Sequence, residues 1–210
     1  MALTKVRGGA IDNPLTLGGG SASDNSIIFD GNAQDFHIGL DDSTDSLTIG
    51  LGSTLGTTSH MVIDANGHIT KPLQPAFQVH PASNQDNIST GATTVVFGTE
   101  RFDQNGDFAS NTFTAPVTGK YLLTYSLYLE DMPNDATYIE TFLDTSNARD
   151  YYHSIDPRGF DTSPIIVSMS QAHLVDMDAN DTVTVRITQA GGSTTLDVNT
   201  ASHFSGFLVC

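Results

Sequence analysis

The stretch Phe97–Tyr125 reads FGTERFDQNGDFASNTFTAPVTGKYLLTY, and it decides the fold. Near its end the pattern is regular, because every odd position of Tyr121–Leu127 is large and apolar. Successive side chains of a β-strand point to opposite faces, so this pattern predicts a strand with one buried face. Val183, Val185 and Ile187 alternate with polar neighbours in the same way. The sequence therefore predicts strands that each contribute one face to a core.

Clusters of Asp, Asn, Gly and Pro separate these strands. They occupy residues 103–107, 132–135 and 176–181, and such residues favour turns because they tolerate or stabilise turn backbone geometry. No long segment has the 3.6-residue period of an amphipathic helix. We therefore expect an all-β chain in which helix is almost absent.

A set of aromatic, acidic and glycine positions in the same stretch has a familiar spacing. The set consists of Phe97, Asp103, Phe108, Phe113, Gly119, Tyr121 and Tyr125. Together with the final strand Phe204–Leu208 (FSGFL), it resembles the globular head of the complement component 1q family, a relative of the tumour necrosis factor jelly roll. The resemblance covers about Ala76 to Val209.

Two positions depart from the usual family pattern. The step from Phe108 to Phe113 is two residues shorter than usual, and Leu123 stands where an aromatic residue is common. The shorter loop is compatible with the fold and weakens any inference about family-specific loops. The resemblance implies a trimer, and by analogy it places Tyr121, Tyr125 and Phe207 at the threefold axis.

Composition narrows the classes of partner. The chain has 210 residues, a formal net charge of -16 and only 8 Lys and Arg residues. Such a charge repels nucleic acids and anionic membranes, which both bind basic surfaces. No segment has the roughly 20 apolar residues of a membrane-spanning helix. The single cysteine, Cys210, excludes a disulfide within one chain.

Charge also divides the chain into three parts. Residues 1–22 contain Lys5 and Arg7 and end in a Gly-Gly-Gly-Ser run, residues 23–71 form an acidic repetitive segment, and residues 76–210 form the head. Residues 23–70 contain seven Asp and neither Lys nor Arg. The prolines at positions 72 and 75 mark the linker between the acidic segment and the head.

The acidic segment repeats short β-like units. Asp35–Leu40 and Asp45–Leu51 align so that Phe36 matches Leu47 and Ile38 matches Ile49, a shift of eleven residues. Ile27–Asn32 likewise resembles Met61–Gly67. These repeats resemble the shaft repeats of bacteriophage tail fibres and tailspikes, which implies three intertwined chains. About fifty residues in short strands bury too little surface to be stable alone, so we expect a shaft that requires self-association.

Potential chemical sites are few. Asp176, Asp178, Asn180 and Asp181 alternate oxygen ligands as calcium sites do, but they lack the bidentate Glu of an EF-hand, and the commoner role of such residues is to close turns. The seven histidines have no zinc-site spacing, and no serine lies in a nucleophile elbow. We therefore expect no enzyme and no obligatory cofactor. Tyr138, Tyr151 and Tyr152 could instead form an aromatic surface for sugars, or could pack internally or contact another subunit.

These observations lead to a functional hypothesis. The first residues show no apolar export signal, and a β shaft stands where a collagen stalk would be expected. We expect a homotrimeric fibre or appendage of a bacteriophage virion, assembled in the host cytoplasm. Leu3, Lys5, Val6 and Arg7 are the candidates for docking on another virion protein. The head would bind a host surface glycan or protein, or would cap the fibre. The alternatives are a structural capsid or neck decoration protein and an exported, lectin-like bacterial protein.

Overall fold

The computed structural model describes residues 16–161 and 165–210. The chain divides into two compact units, Met1–Leu73 and Gln74–Cys210. Both units consist of antiparallel β-strands, and the described ranges contain no α-helix, only one 3₁₀ turn at Pro157–Gly159. The predicted all-β fold is confirmed. No helix in those ranges is long and apolar enough to cross a membrane.

The first unit is a five-stranded antiparallel meander in which each strand pairs with the next. Its strands are β1 (Asn25–Phe29), β2 (Phe36–Asp41), β3 (Ser46–Leu51), β4 (Ser59–Ile63) and β5 (Ile69–Thr70).

The two halves of the eleven-residue repeat become the neighbouring strands β2 and β3. Ile38 pairs with Ile49, and Leu40 pairs with Leu47. These strands thus pair within one chain, and the expected intertwining of three chains stays a prediction.

An aspartate-anchored turn links β4 to β5. The Asp64 carboxylate accepts hydrogen bonds from the backbone N–H groups of Asn66 and His68, each at 2.9 Å, and its second oxygen lies 2.8 Å from the His68 ring. These bonds hold the pKa of Asp64 below its ordinary value. The turn has the Asx chemistry that the sequence predicts.

The second unit, the head, contains the remaining thirteen strands. They are β6 (Ala76–His80), β7 (Gln85–Ile88), β8 (Gly91–Thr94), β9 (Thr99–Asp103), β10 (Phe108–Ala109), β11 (Thr112–Thr114), β12 (Gly119–Met132), β13 (Tyr138–Thr145), β14 (Tyr151–Ile155), β15 (Ile165–Met177), β16 (Thr182–Ala190), β17 (Leu196–Val198) and β18 (His203–Leu208).

Two sheets form the head sandwich. One sheet, which we call the outer sheet, has the order β10-β11-β16-β13-β14. The second sheet, which we call the inner sheet, has the order β7-β17-β12-β18-β6-β9, and β15 also pairs with β12 in this sheet. This is the jelly-roll arrangement that the sequence predicts. The long strand β12 lies at the centre of the inner sheet, since it pairs with β15 on one edge and with β17 and β18 on the other.

The core lies between the two sheets. The odd positions of β12 point into it, and Tyr121, Leu123, Tyr125 and Leu127 are at most 1% exposed. Alternate residues of β16 reach the same core from the outer sheet and are fully buried. The strand alternation predicted from the sequence is therefore confirmed in both sheets.

Gly206 generates the first prediction, because the core leaves no room for a side chain there. A Cβ at this position would collide with the side chain of Leu123 and crowd the ring of Phe77. We expect Gly206→Ala to destabilise the head by roughly 1–3 kcal/mol, the usual cost of overpacking. Urea denaturation measures this effect.

Gly159→Ala is the matched control, since nothing lies within 4 Å of its Cβ position. Equal stability of the two variants would show that β18 does not pack as the structure describes.

Candidate functional site: the outward face of the β12 sheet

The side of the inner sheet that faces away from the core is the most distinctive surface of the head. We call it the β12 face. It is formed by the even-numbered residues of β12 from Leu122 to Tyr128 and by their neighbours on adjacent strands, namely Leu122, Thr124, Ser126, Tyr128, Ser168, Ser170, Ala172, Leu174, His203, Ser205, Phe207, Ala76, Gln78 and Phe102. None of these residues is Asp, Glu, Lys or Arg.

One end of the β12 face is apolar. Leu122 lies directly between Leu174 on β15 and Phe207 on β18. Leu174 and Phe207 are 59% and 47% exposed. Phe207 and Phe102 border a shallow cleft of about 300 Å³ over Leu122. Leu174, Leu122 and Phe207 thus form an apolar row across three neighbouring strands, and the side chains at both ends of this row are exposed.

The middle of the β12 face carries small side chains that satisfy one another. The hydroxyl groups of Thr124 and Ser205 are 2.8 Å apart, and Ser170 donates to Ser126 at 2.7 Å. Ala172 lies opposite Thr124. Because these hydroxyls are already paired, another surface can cover them at a reduced desolvation cost. Short side chains also allow a close approach of a second backbone.

Charged groups lie at the ends of this face. At one end, Asp176 accepts hydrogen bonds from Lys120 and from Arg149, the latter at 3.1 Å. These two cations hold the pKa of Asp176 below its ordinary value. At the other end, Glu130 accepts a hydrogen bond of 2.9 Å from the Asn199 amide. The charges therefore frame the face instead of interrupting it.

The structure corrects two of the three trimer-axis candidates. Tyr121 and Tyr125 lie inside the protomer, where their hydroxyls donate to the carbonyl of Val117 at 2.7 Å and approach the Thr141 hydroxyl at 2.9 Å. Residues that fill the core of one protomer cannot meet across an axis. Phe207 does lie on the β12 face, and its position at an axis stays a prediction.

Leu122, Leu174 and Phe102 are the apolar members of this face that the sequence reasoning missed. A signal for Leu122 was present, because the apolar odd positions of β12 had already been assigned to the core. The even positions therefore had to face outward. Leu174 and Phe102 join them only through strand pairing, which is not apparent from the sequence.

The structure does not bring the calcium candidates together as ligands. Asp176 is paired with cations, and Asp181 accepts hydrogen bonds from the Asp178 N–H at 2.9 Å and from the Ser146 hydroxyl at 3.0 Å. Asn180 adopts a positive φ of 73° in the turn. Across residues 16–161 and 165–210, no group of three or more His, Cys, Asp or Glu side chains could hold a metal ion. These residues build a turn, which is the commoner role that the sequence analysis gave them, and the alternative of calcium binding stays untested.

The structure does not bring the three tyrosine candidates together on one surface. Tyr151 packs inward beside the ring of His173 at 4.7 Å, while Tyr152 is exposed and stacks on Phe142 at 4.8 Å. Consecutive residues of β14 necessarily point to opposite faces, so the two tyrosines cannot form one surface. Tyr138 is also exposed. The docking candidates Leu3, Lys5, Val6 and Arg7 lie outside the described residues.

The sandwich of two antiparallel sheets defines a jelly-roll module. Residues 76–209 match the C1q domain family. The match covers well over half of the chain, and the protein belongs to this family.

One solved structure supports the fold. The globular domain of zebrafish complement 1qA protein aligns with a TM-score of 0.50 and 19% identity, over 65% of this chain and 98% of that structure. Murine APRIL gives a TM-score of 0.47 at 16% identity, over 64% of this chain and 98% of its own. Among curated proteins, no sequence matches significantly. The comparisons concern the head, and the likeness of the first unit to phage shafts stays a prediction.

His173 generates a pH prediction. Its Nε2 atom is buried and has no hydrogen-bond partner, and burial lowers the pKa of this histidine. The unfolded chain therefore binds a proton near pH 6.5 that the folded chain resists, so stability falls as the pH drops below that value. We expect the melting temperature to fall less between pH 7.5 and 5.5 in His173→Gln and His173→Phe than in the wild type. If the melting temperatures of all three proteins fell equally between pH 7.5 and 5.5, His173 would not be the origin of the pH dependence.

Proposed function

We propose that this protein is a homotrimeric fibre or appendage protein of a bacteriophage particle, with a non-enzymatic C1q head carried by an acidic β-sheet stem. The observation that carries the homotrimer is the β12 face. Membership of the C1q domain family supports the same assembly. The head binds a host surface or caps the fibre, and the protein is located in the virion.

Charge explains why copies would meet through the β12 face. The chain carries a formal charge of -16, so most pairs of surfaces on identical copies repel one another. Between its two ends, the β12 face has no Asp, Glu, Lys or Arg. It also exposes Leu174 and Phe207, whose burial would stabilise an assembly. A closed symmetric assembly covers one such face on each copy.

The absence of an assembled active site supports a role in binding instead of catalysis. In the part of the chain that the structure describes, the half-buried histidines His153 and His173 each have one buried ring nitrogen without a hydrogen-bond partner, so neither is aligned with a nucleophile through that atom. A catalytic nucleophile needs such an aligned base. The family match points the same way, since C1q domains are typically binding modules.

The outer sheet supplies a surface on which a ligand could bind without disturbing the trimer. Tyr152 is 55% exposed above Phe142, and its hydroxyl donates to Asp150 at 2.9 Å. Glu140 lies on the neighbouring strand and accepts a hydrogen bond from Ser154. An exposed aromatic ring beside carboxylates suits a glycan, which combines apolar faces with hydroxyl donors. This surface favours host binding over a purely structural decoration.

The trimer prediction uses a charge placed on the β12 face. We expect the wild-type chain to sediment at about three times its mass of 22.3 kDa at micromolar concentration. Ala172→Glu should sediment as a monomer with an unchanged β-sheet spectrum, because it buries three like charges in one interface.

Thr188→Glu on the opposite sheet is the matched control, and it should remain trimeric. A monomeric wild type, or an Ala172→Glu protein that keeps the trimeric mass, would contradict the proposed interface.

The virion role has a separate test. Deleting residues 1–20, which contain Leu3, Lys5, Val6 and Arg7, should leave the trimer mass and melting temperature unchanged. The truncated protein should be missing from purified particles, because we propose that this segment contacts another virion protein. Quantitative mass spectrometry of the particles measures incorporation. Full incorporation of the truncated chain would place the contact elsewhere, and absence of the intact chain from particles would end the virion proposal.

A further inference from the structure

The five-stranded sheet of the first unit has an exposed apolar side. We call it the apolar sheet face. Its members alternate along β1 to β5 and are Ile27, Phe29, Phe36, Ile38, Leu40, Leu47, Ile49, Leu51, Met61, Ile63 and Ile69. Seven of them are between 38% and 59% exposed, namely Ile27, Phe29, Phe36, Leu40, Leu47, Ile49 and Ile69.

Strand register aligns these residues in continuous rows. In the central row, Ile27 pairs with Ile38, Ile38 with Ile49, and Ile49 with Met61. A second row runs from Leu40 through Leu47, Ile63 and Ile69. Contiguous apolar rows of this extent are rare on the free surface of a protein and usually mark an interface.

Along β2 and β3, the opposite side of the sheet is polar and already covered. His37, Asp41 and Thr48 are buried there. The loop of residues 52–58 crosses this side, since the His37 ring lies 2.9 Å from the carbonyl of Gly52 and Leu55 is buried. The usual arrangement, with the apolar side covered and the polar side in water, is therefore reversed. The chain covers its polar side with its own loop and leaves the apolar side open.

The distribution of charge restricts what can cover the open side. Residues 23–70 carry seven aspartates and no Lys or Arg, yet none of the aspartates belongs to the apolar sheet face. Six lie in turns and loops, and Asp41 points to the covered side, where it accepts hydrogen bonds from Ser43. Two copies of this unit would repel through their edges and could meet only through this uncharged face.

From these observations we propose that the apolar sheet face is covered by the same face of the other copies of this chain. The inference rests on the proposed trimer, which gives the stem a shared core. Each sheet is tethered directly to its head, because the two units meet at Leu73 and Gln74. A trimer of heads holds three sheets at high local concentration, which favours their association without additional contacts.

Residues 1–15 are the competing occupant. Leu17 lines a cleft of about 270 Å³ together with Ile27, Ile38, Leu40 and Leu47, so the described chain begins beside the apolar sheet face. An intramolecular cover and an intermolecular cover both hide the face from water. They differ in whether side chains from two copies come into contact.

Cross-linking of the full-length chain distinguishes the two. Cys210 is free and exposed, so it is first replaced by Cys210→Ser. Ile49→Cys then places a thiol at the centre of the face, and Asn66→Cys places one on an exposed turn as the control. With a short bismaleimide, we expect several-fold more covalent dimer from Ile49→Cys than from Asn66→Cys. Ile49→Glu should leave the trimer mass unchanged and make residues 25–70 susceptible to protease.

The outcomes separate this inference from the proposed function. If the wild type is trimeric but Ile49→Cys links no better than Asn66→Cys, the shared face is overturned and the head trimer stands. If, in that case, deletion of residues 1–15 also makes residues 25–70 susceptible to protease, the amino-terminal segment is what covers the apolar sheet face. A monomeric wild type overturns the proposed trimer, and an unlinked Ile49→Cys in that monomer overturns the shared face as well.

Discussion

Aromatic stacking across the two sheets of the head is the interaction on which the rest of the structure depends. Phe77 of the inner sheet stacks on Phe113 of the outer sheet with ring centroids 4.7 Å apart. Phe204 meets Phe77 edge-on at 5.0 Å, and Tyr121 meets Phe113 at 5.4 Å. Such pairs contribute more than their buried area alone and fix the relative orientation of the rings. They therefore join β6, β11, β12 and β18 into one core.

This core determines which residues can serve function. Because Tyr121 and Phe204 must point inward, Leu122, Ser205 and Phe207 must point outward. The residues that build the core and the residues that meet a partner thus alternate along the same strands. A change in register by one residue would exchange the two sets, so the packing of the core specifies the β12 face.

The sequence predicted the head well for the same reason. Alternation along β12 and β16, together with the turn clusters between strands, was sufficient for the fold. The error over Tyr121 and Tyr125 arose from an analogy with a family, although their own alternation with Leu122 and Thr124 already placed them inside. Leu174 and Phe102 could not have been assigned to the β12 face, because pairing between distant strands brings them there. The ion pairs of Asp176 show the same limit, since Lys120 and Arg149 come from other strands and loops to pair with it.

The first unit shows where sequence patterns reach their limit. Alternating Phe36, Ile38 and Leu40 predict a strand with an apolar side, but they do not reveal whether the chain covers that side. The answer depends on the loop of residues 52–58. At Gly50 this loop approaches so closely that a Cβ would collide with the carbonyl of Thr58 and crowd the His37 ring. Only glycine fits at position 50, because the loop of residues 52–58 packs over the polar side of the sheet there. Gly50 thus allows the chain's own loop to cover the polar side of the sheet. The same arrangement leaves the apolar sheet face uncovered within one chain.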